Sequence, residues 1–258
     1  MIPTRLPRLA SGLLAAAAVA LVASVAPPSA AQATNQLSYY AQTAIKDFSG
    51  RTRVISKNDR ELKKLGDGFV RAYQTGTQRF FYKEPGKVRL EGKQGLATVR
   101  LVTNGDQRIA EYRVPPGLKK TDRSDLKEDP GKGDYCIDFG VITPSFARRV
   151  QAKFLRYETR DGKRAAVFTF QHPGDKKADH TVVLDPETRL VLDHISHHRN
   201  KKLPGFKSRY VFSLPQKFGS VWLPTRVELR NAENKTAGVS AVEQITVNTG
   251  LQEALFAL

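Results

Sequence analysis

Five histidines are the residues of this 258-residue chain that most invite a chemical reading. His194, His197 and His198 sit in one short run, with Asp193 alongside and His172 and His180 upstream. A zinc site needs three or four ligands in a defined shell. On a strand, side chains alternate between faces, so His194 and His198 share one face and His197 points to the other. Only two ligands then converge directly, no Cys or His-x-x-Glu pattern supplies the rest, and no metal is expected. Nucleophilic catalysis is no better served: there is no Gly-x-Ser-x-Gly turn and no Cys–His arrangement. Asp185 and Glu187 look like paired carboxylates, but their Asp-Pro-Glu-Thr setting makes them turn formers first. Gly131-Lys132-Gly133 lacks the strand-to-helix context of a phosphate loop. Cys136 is the single cysteine, so no intramolecular disulfide can form, and it reads as a small buried apolar residue. These residues point away from an enzyme, and no cofactor is expected.

Charge and aromatic content suggest binding instead. Lys and Arg number 42 against 25 Asp and Glu, a formal net charge of +17. Such a balance points to an anionic partner, with an ordinary solvated surface as the plain alternative. Two basic groups could touch a lipid headgroup or an anionic membrane surface: Lys119, Lys120, Arg123 and Lys127, and then Lys201, Lys202, Lys207 and Arg209. Solvated loop cations are the simpler reading of both. The large aromatics fall on strand-like runs: Phe80, Phe81, Tyr82, Phe154, Phe168, Phe170, Tyr210, Phe212 and Trp222. They form either a packed core or the lining of an apolar cavity, the default place for an acyl chain. Of these, Phe80, Tyr82, Phe168, Phe170, Tyr210, Phe212 and Trp222 are the candidate cavity residues, chosen by aromatic character because strand parity does not say which face is inward.

The elements that must position these residues are mostly strands. Residues 1–31 read as a cleavable signal peptide: Arg5 and Arg8 precede an apolar stretch over 13–25, and small residues near Ala31 suit signal peptidase. That stretch is short for a bilayer span of about 20 residues. Export removes nucleic acid from the partners considered and leaves phospholipid headgroups, lipopolysaccharide phosphates or acidic polymers. The mature chain, 32–258, is expected to be one domain. The spacing of Leu37, Tyr40, Ala41, Ala44, Ile45 and Phe48 predicts an amphipathic helix over 35–48 with Asn35 as its cap. Strands are expected over 51–56, 69–82 and 87–91. A hairpin runs through 97–103 and 107–114 about Asn104-Gly105, the strongest short-range hairpin signal. Others turn at Asp161-Gly162 and at 185–188, and later strands cover 208–214, 221–230 and 239–247. The segment 115–149 reads as a flap, with a short helix starting near Pro144 and capped by Thr143. The expected architecture is mainly β: about ten antiparallel strands in one strongly curved sheet, an open half-barrel with helix and flap on its concave face.

The order of these pieces resembles the LolA/LolB-like family of envelope lipoprotein carriers and sorting proteins over nearly the whole mature chain. The likeness is carried by Phe48-Ser49-Gly50, by Lys83-Glu84-Pro85-Gly86-Lys87-Val88-Arg89-Leu90, and by Leu101-Val102-Thr103-Asn104-Gly105 followed by Tyr112. Leu184-Asp185-Pro186-Glu187-Thr188, Trp222-Leu223-Pro224-Thr225-Arg226 and Val247-Asn248-Thr249-Gly250-Leu251 continue it. No one of these motifs is specific alone; their order and spacing carry the weight. The resemblance implies a half-barrel, a helical lid and a cavity for acyl chains, hence a monomeric carrier of acylated lipoprotein or phospholipid in the periplasm or cell envelope. It also implies the alternative, a sensing domain of the same fold that binds a protein partner. The family's carriers usually place an arginine before the strand-start proline, where it latches the lid. Here that position is Glu84, a departure that points to a divergent branch; Glu84, Pro85 and Arg89 are the lid and strand-start candidates.

Overall fold

The alternating runs become strands of a single antiparallel sheet. The computed structural model describes residues 35–128, 135–174, 178–198 and 206–258. The signal-peptide segment 1–31, Gly131-Lys132-Gly133 and the basic pair Lys201 and Lys202 lie outside these residues. The strands are β1 (Asp47–Lys57), β2 (Thr77–Lys83), β3 (Lys87–Gln94), β4 (Ala97–Asn104), β5 (Gln107–Val114), β6 (Leu118–Asp125), β7 (Gln151–Arg160), β8 (Lys163–Gln171), β9 (Ala178–Leu184), β10 (Val191–His198), β11 (Phe206–Phe218), β12 (Val221–Asn231) and β13 (Thr236–Val247). Their order across the sheet is β6-β5-β4-β3-β2-β1-β13-β12-β11-β10-β9-β8-β7.

Every hydrogen-bonded neighbour is a neighbour in sequence except β1 and β13, which pair with Phe48 opposite Val247. The chain therefore meanders from β1 out to one edge, crosses to the other, and meanders back. Thirteen strands replace the expected ten or so, and the sheet is neither closed nor strongly curled. Closure would need β6 to meet β7, but these are the two free edges. The described residues 135–150 of the crossing segment instead pack against the core face.

The three turns read from sequence are present. Gly105 and Gly162 adopt φ of 59° and 77°, the left-handed region that glycine enters at least cost. In the third, the Asp185 carboxylate accepts from the Glu187 amide and the Thr188 hydroxyl, so Asp185 closes the turn as expected.

Two expectations fail. Residues 35–48 are not a helix: only Leu37–Tyr40 make a 3-10 turn, and Phe48 already belongs to β1. The apolar spacing is real, since Leu37, Tyr40, Ala41, Ile45 and Phe48 are all buried. Tertiary bonds hold the segment extended: the Gln42 amide donates to Ile142 O, and its side chain both donates to Trp222 O and accepts from Trp222 N. Residues 69–82 are likewise not one strand. Helices α1 (Asp59–Leu65) and α2 (Asp67–Gln74) precede β2. Asn58 caps α1 by accepting from Glu61 N, and Leu62 and Leu65 pack on Leu229 and Ala237.

The flap is also more ordered than expected. Its first part is β6, and its second holds the short helices α3 (Tyr135–Asp138) and α4 (Pro144–Arg149). Thr143 caps α4 as anticipated, accepting from Phe146 N at 3.3 Å. One core cluster joins Phe48, Tyr82 and Val88, Phe168 and Phe170, Leu184, Phe212 and Leu223 to Tyr40, Ile137, Ile142 and Phe146 from the covering segments. Cys136 is buried within it, as a small apolar residue would be.

Candidate functional site

Two coverings lie on the core face of the sheet, and a cavity lies between them. At one end α1 and α2 sit over β12 and β13. Tyr73 of α2 lies against Gly238, where any side chain would overlap its ring. Burial pushes the Tyr73 hydroxyl up to about 12, moderated by its hydrogen bond with Ser240. At the other end, α3 is followed by Phe139, whose ring lies 4.5 Å from that of Phe80 and edge-on to Phe48 at 5.6 Å. Gly140 follows with φ 75°, and a Cβ there would stand 2.6 Å from Pro224 Cγ and 2.9 Å from Phe212 Cδ1. Glycine thus lets this segment descend onto the sheet. A bond from Val191 N to Gly140 O and a bridge between Val141 and Leu190 hold it there.

The cavity has a volume of about 280 Å³. Its walls are Phe48, Phe80, Leu90, Phe139, Tyr210, Leu223, Val227, Val242 and Ile245, with Ala72 and Tyr73 of α2 above. Its polar lining residues are Thr52, Gln78, Ser240 and Asp138, with hydroxyls also on Tyr73 and Tyr210. Ligand pockets run to about 300–1,000 Å³ with mostly apolar linings, so this one suits a slender apolar group. Register explains the lining: Phe48, Thr52, Phe80 and Leu90 share one face of β1, β2 and β3, since Phe48 pairs with Tyr82 and Phe80 with Leu90.

The seven aromatic candidates divide. Phe80 and Tyr210 line the cavity. Burial raises the Tyr210 hydroxyl well above its ordinary value, with the nearby Asp138 charge adding to the shift. Tyr82, Phe168, Phe170 and Phe212 lie in the packed core. The Tyr82 hydroxyl donates to Thr143 Oγ1 at 3.0 Å, tying β2 to the covering segment, and burial raises it too. Trp222 stands elsewhere, half-buried near Gln42, Thr43 and Arg189. The cavity residues that sequence reasoning missed are Phe48, Ala72, Tyr73, Leu90, Phe139, Leu223, Val227, Val242 and Ile245. Aromatic content could not reveal the aliphatic ones, and the helical spacing of 35–48 sets Phe48 on a helix face.

Glu84, Pro85 and Arg89 do not act together. Glu84 faces the covering segment and accepts from Ser145 N at the start of α4, 3.3 Å away. Arg89 points to the opposite face, where it donates to Leu255 O near the C-terminus and pairs with Glu91. Pro85, after a cis peptide bond, is exposed at the β2–β3 turn. The basic candidates Lys119, Lys120 and Arg123 lie exposed on edge strand β6, and Lys127 follows it, 3.3 Å from Asp106. Lys119 bonds Glu111, whose carboxyl that bond helps to hold at about 2, with Arg100 and Arg113 also contributing.

The histidines behave differently from the sequence expectation. His172, His180 and His194 meet on the core face: His180 and His194 stack on Phe170, His194 also on Tyr210, and His172 stands edge-on to Phe170 and His180. His194 Nδ1 lies 3.7 Å from Asp138 Oδ1. His197 instead bonds Thr181, and burial lowers its pKa. Among the described residues no group of three or more His, Cys, Asp or Glu side chains could hold a metal ion. No helix of those residues is long and apolar enough to cross a membrane.

The fold matches a domain of an outer-membrane lipoprotein-sorting protein from Vibrio parahaemolyticus, with a TM-score of 0.59 at 13% identity, over 85% of this chain and 92% of that one. It also matches a DUF1329 family protein from Desulfovibrio piger, with a TM-score of 0.57 at 12% identity, over 86% and 92%. A LolA superfamily protein from Nitrosomonas europaea aligns over 88% of this chain and 99% of its own, at 11% identity and a TM-score of 0.43. No family model and no curated protein matches the sequence. At these identities the likeness is one of fold.

Proposed function

We propose that this protein is an exported carrier that shields an acyl chain of a lipid or lipoprotein from water. The observation that carries the reading is the apolar cavity walled by Phe48, Phe80, Phe139, Val242 and Ile245 between the two coverings. Burying an acyl chain gains about 0.8 kcal/mol per CH₂, so a carrier needs shape and a covering rather than catalytic groups. In this reading residues 1–31 direct export to the periplasm or cell envelope and are removed. The open sheet then works as a monomer. Phe80 and Tyr210 contact the chain directly, while Tyr82, Phe168, Phe170 and Phe212 hold the walls. Lys119, Lys120, Arg123 and Lys127, exposed on and just after the edge strand β6, would meet an anionic membrane surface. Glu84, bonded to Ser145 N, takes over from the family's arginine as the contact between strand start and covering.

The test is to purify the protein natively, extract it with organic solvent and identify what is released by mass spectrometry. About one acylated molecule per chain is expected, and Ala72→Trp should abolish its recovery. Ala72 is exposed on α2 yet lines the cavity, so this variant blocks entry without disturbing the core. A protein that releases no lipid and takes up none when offered would refute the carrier. It would instead favour a protein-binding domain, for which the open edges β6 and β7 offer unpaired backbone.

A further inference from the structure

The cavity has a neighbour. A second hollow of about 390 Å³ lies on the other side of α2, and the two share Ala72, Gln78 and Leu90 in their walls. Its floor is the core face of β3–β5: Leu90 pairs with Leu101 and Leu101 with Ala110, while Gly92 pairs with Val99 and Val99 with Tyr112. The floor is therefore mostly apolar, like the first chamber. Its rim is not: Arg71 of α2 and Arg108 of β5 both line it.

The rim's positive charge comes from these two arginines, with Asp122 beside one of them. Arg71 is exposed, and among the described residues it makes no ion pair. Arg108 stands 3.8 Å from Asp122 on β6. Glu91 also borders the hollow, but it lies between Leu90 and Gly92 in β3, so its side chain points to the other face. There it pairs with Arg89. A molecule lying through both chambers would thus have a largely apolar environment around most of its length and two guanidinium groups at one end. Guanidinium groups offer forked donors that match carboxylate and phosphate oxygens.

From this arrangement we infer that the ligand is an anionic amphiphile. Its aliphatic tail lies in the cavity beside Phe80 and Phe139, and its carboxylate or phosphate is held by Arg71 and Arg108. This rests on the acyl-binding reading above and narrows it to a headgroup charge. The positive surface adds a general attraction for anions, but the two arginines give it a location.

The experiment displaces a fluorescent fatty acid from the purified protein with four single-tail competitors of equal chain length. These are a fatty acid, lysophosphatidic acid, lysophosphatidylcholine and monoacylglycerol. The anionic pair should bind tighter than the other two by roughly twofold to thirtyfold, the range for two partly exposed charge pairs. The order within the anionic pair tells carboxylate from phosphate as the preferred headgroup. Arg71→Glu and Arg108→Gln should each reduce that preference, whereas Lys63→Glu on α1, which changes net charge as much as Arg71→Glu, should leave it intact. Circular dichroism melts confirm that the variants fold. Equal affinity for all four headgroups, or a preference untouched by Arg71→Glu, overturns the inference and leaves acyl binding standing. Failure of all four to displace the probe overturns both.

Discussion

Replacing Val242 by phenylalanine separates a cavity from a packed core, because the two predict opposite signs. Val242 pairs with Thr52 across β1 and β13, and both side chains line the 280 Å³ cavity. If the site were packed to ordinary interior density, the larger ring would force neighbours off their rotamers at a cost of about 1–3 kcal/mol. In a cavity of this size the ring is accommodated, and its additional buried surface stabilises the lipid-free protein by roughly 1 kcal/mol at ~25 cal/mol per Å². The same ring takes space from the ligand. Denying an acyl chain two or three methylenes costs about 2 kcal/mol at ~0.8 kcal/mol each, or roughly a thirtyfold loss of affinity. Urea unfolding of delipidated protein measures the first quantity and displacement of a fluorescent fatty acid the second. The expected result is an unchanged or higher urea midpoint together with weakened binding. An unfolding free energy lowered by more than about 1 kcal/mol, the cost expected of overpacking, would show that the space is already filled, and the carrier argument would lose its basis.

Gly140→Ala should destabilise by about 2–5 kcal/mol, combining a left-handed backbone cost of about 1–2 with overpacking of about 1–3 against Pro224 and Phe212; chemical denaturation checks it, and a neutral result would mean the covering segment is not held down there. Tyr82→Phe removes the bond to Thr143 and the weaker contact with Ser145, for a loss of about 1 kcal/mol. Amide exchange at Ser145 and Phe146 should quicken as α4 loosens. Glu111 provides the pH test: its folded pKa of about 2 lies below the unfolded carboxylate value. Its stabilising contribution is therefore complete above about pH 4.5 and is lost as the pH falls from there towards 2. The stability difference between the wild-type protein and Glu111→Gln should be present at neutral pH and vanish over that window. A difference that persists unchanged to pH 2 would contradict the assigned ion pairs.

The amino-acid sequence alone determined the class of fold and much of its local grammar. Alternating runs require strands wherever one face is buried, and Asn104-Gly105, Asp161-Gly162 and Asp185-Pro186-Glu187-Thr188 carry their turn geometry in their own side chains and backbones. Thr143 before Pro144 is equally self-sufficient as a cap. The tertiary structure decided what these local rules leave open. The spacing of 35–48 matches a helix, yet Gln42 bonds to Trp222 and Ile142, far along the chain, and extends the segment. Strand parity says that Phe80 and Tyr82 share a face, but both meet the interior, one beside the cavity and the other beneath α4, and only the placement of the coverings separates them. The cavity is invisible in sequence for the same reason. It is space left between α2 and Phe139, and its existence depends on how two separate segments of chain settle on one sheet.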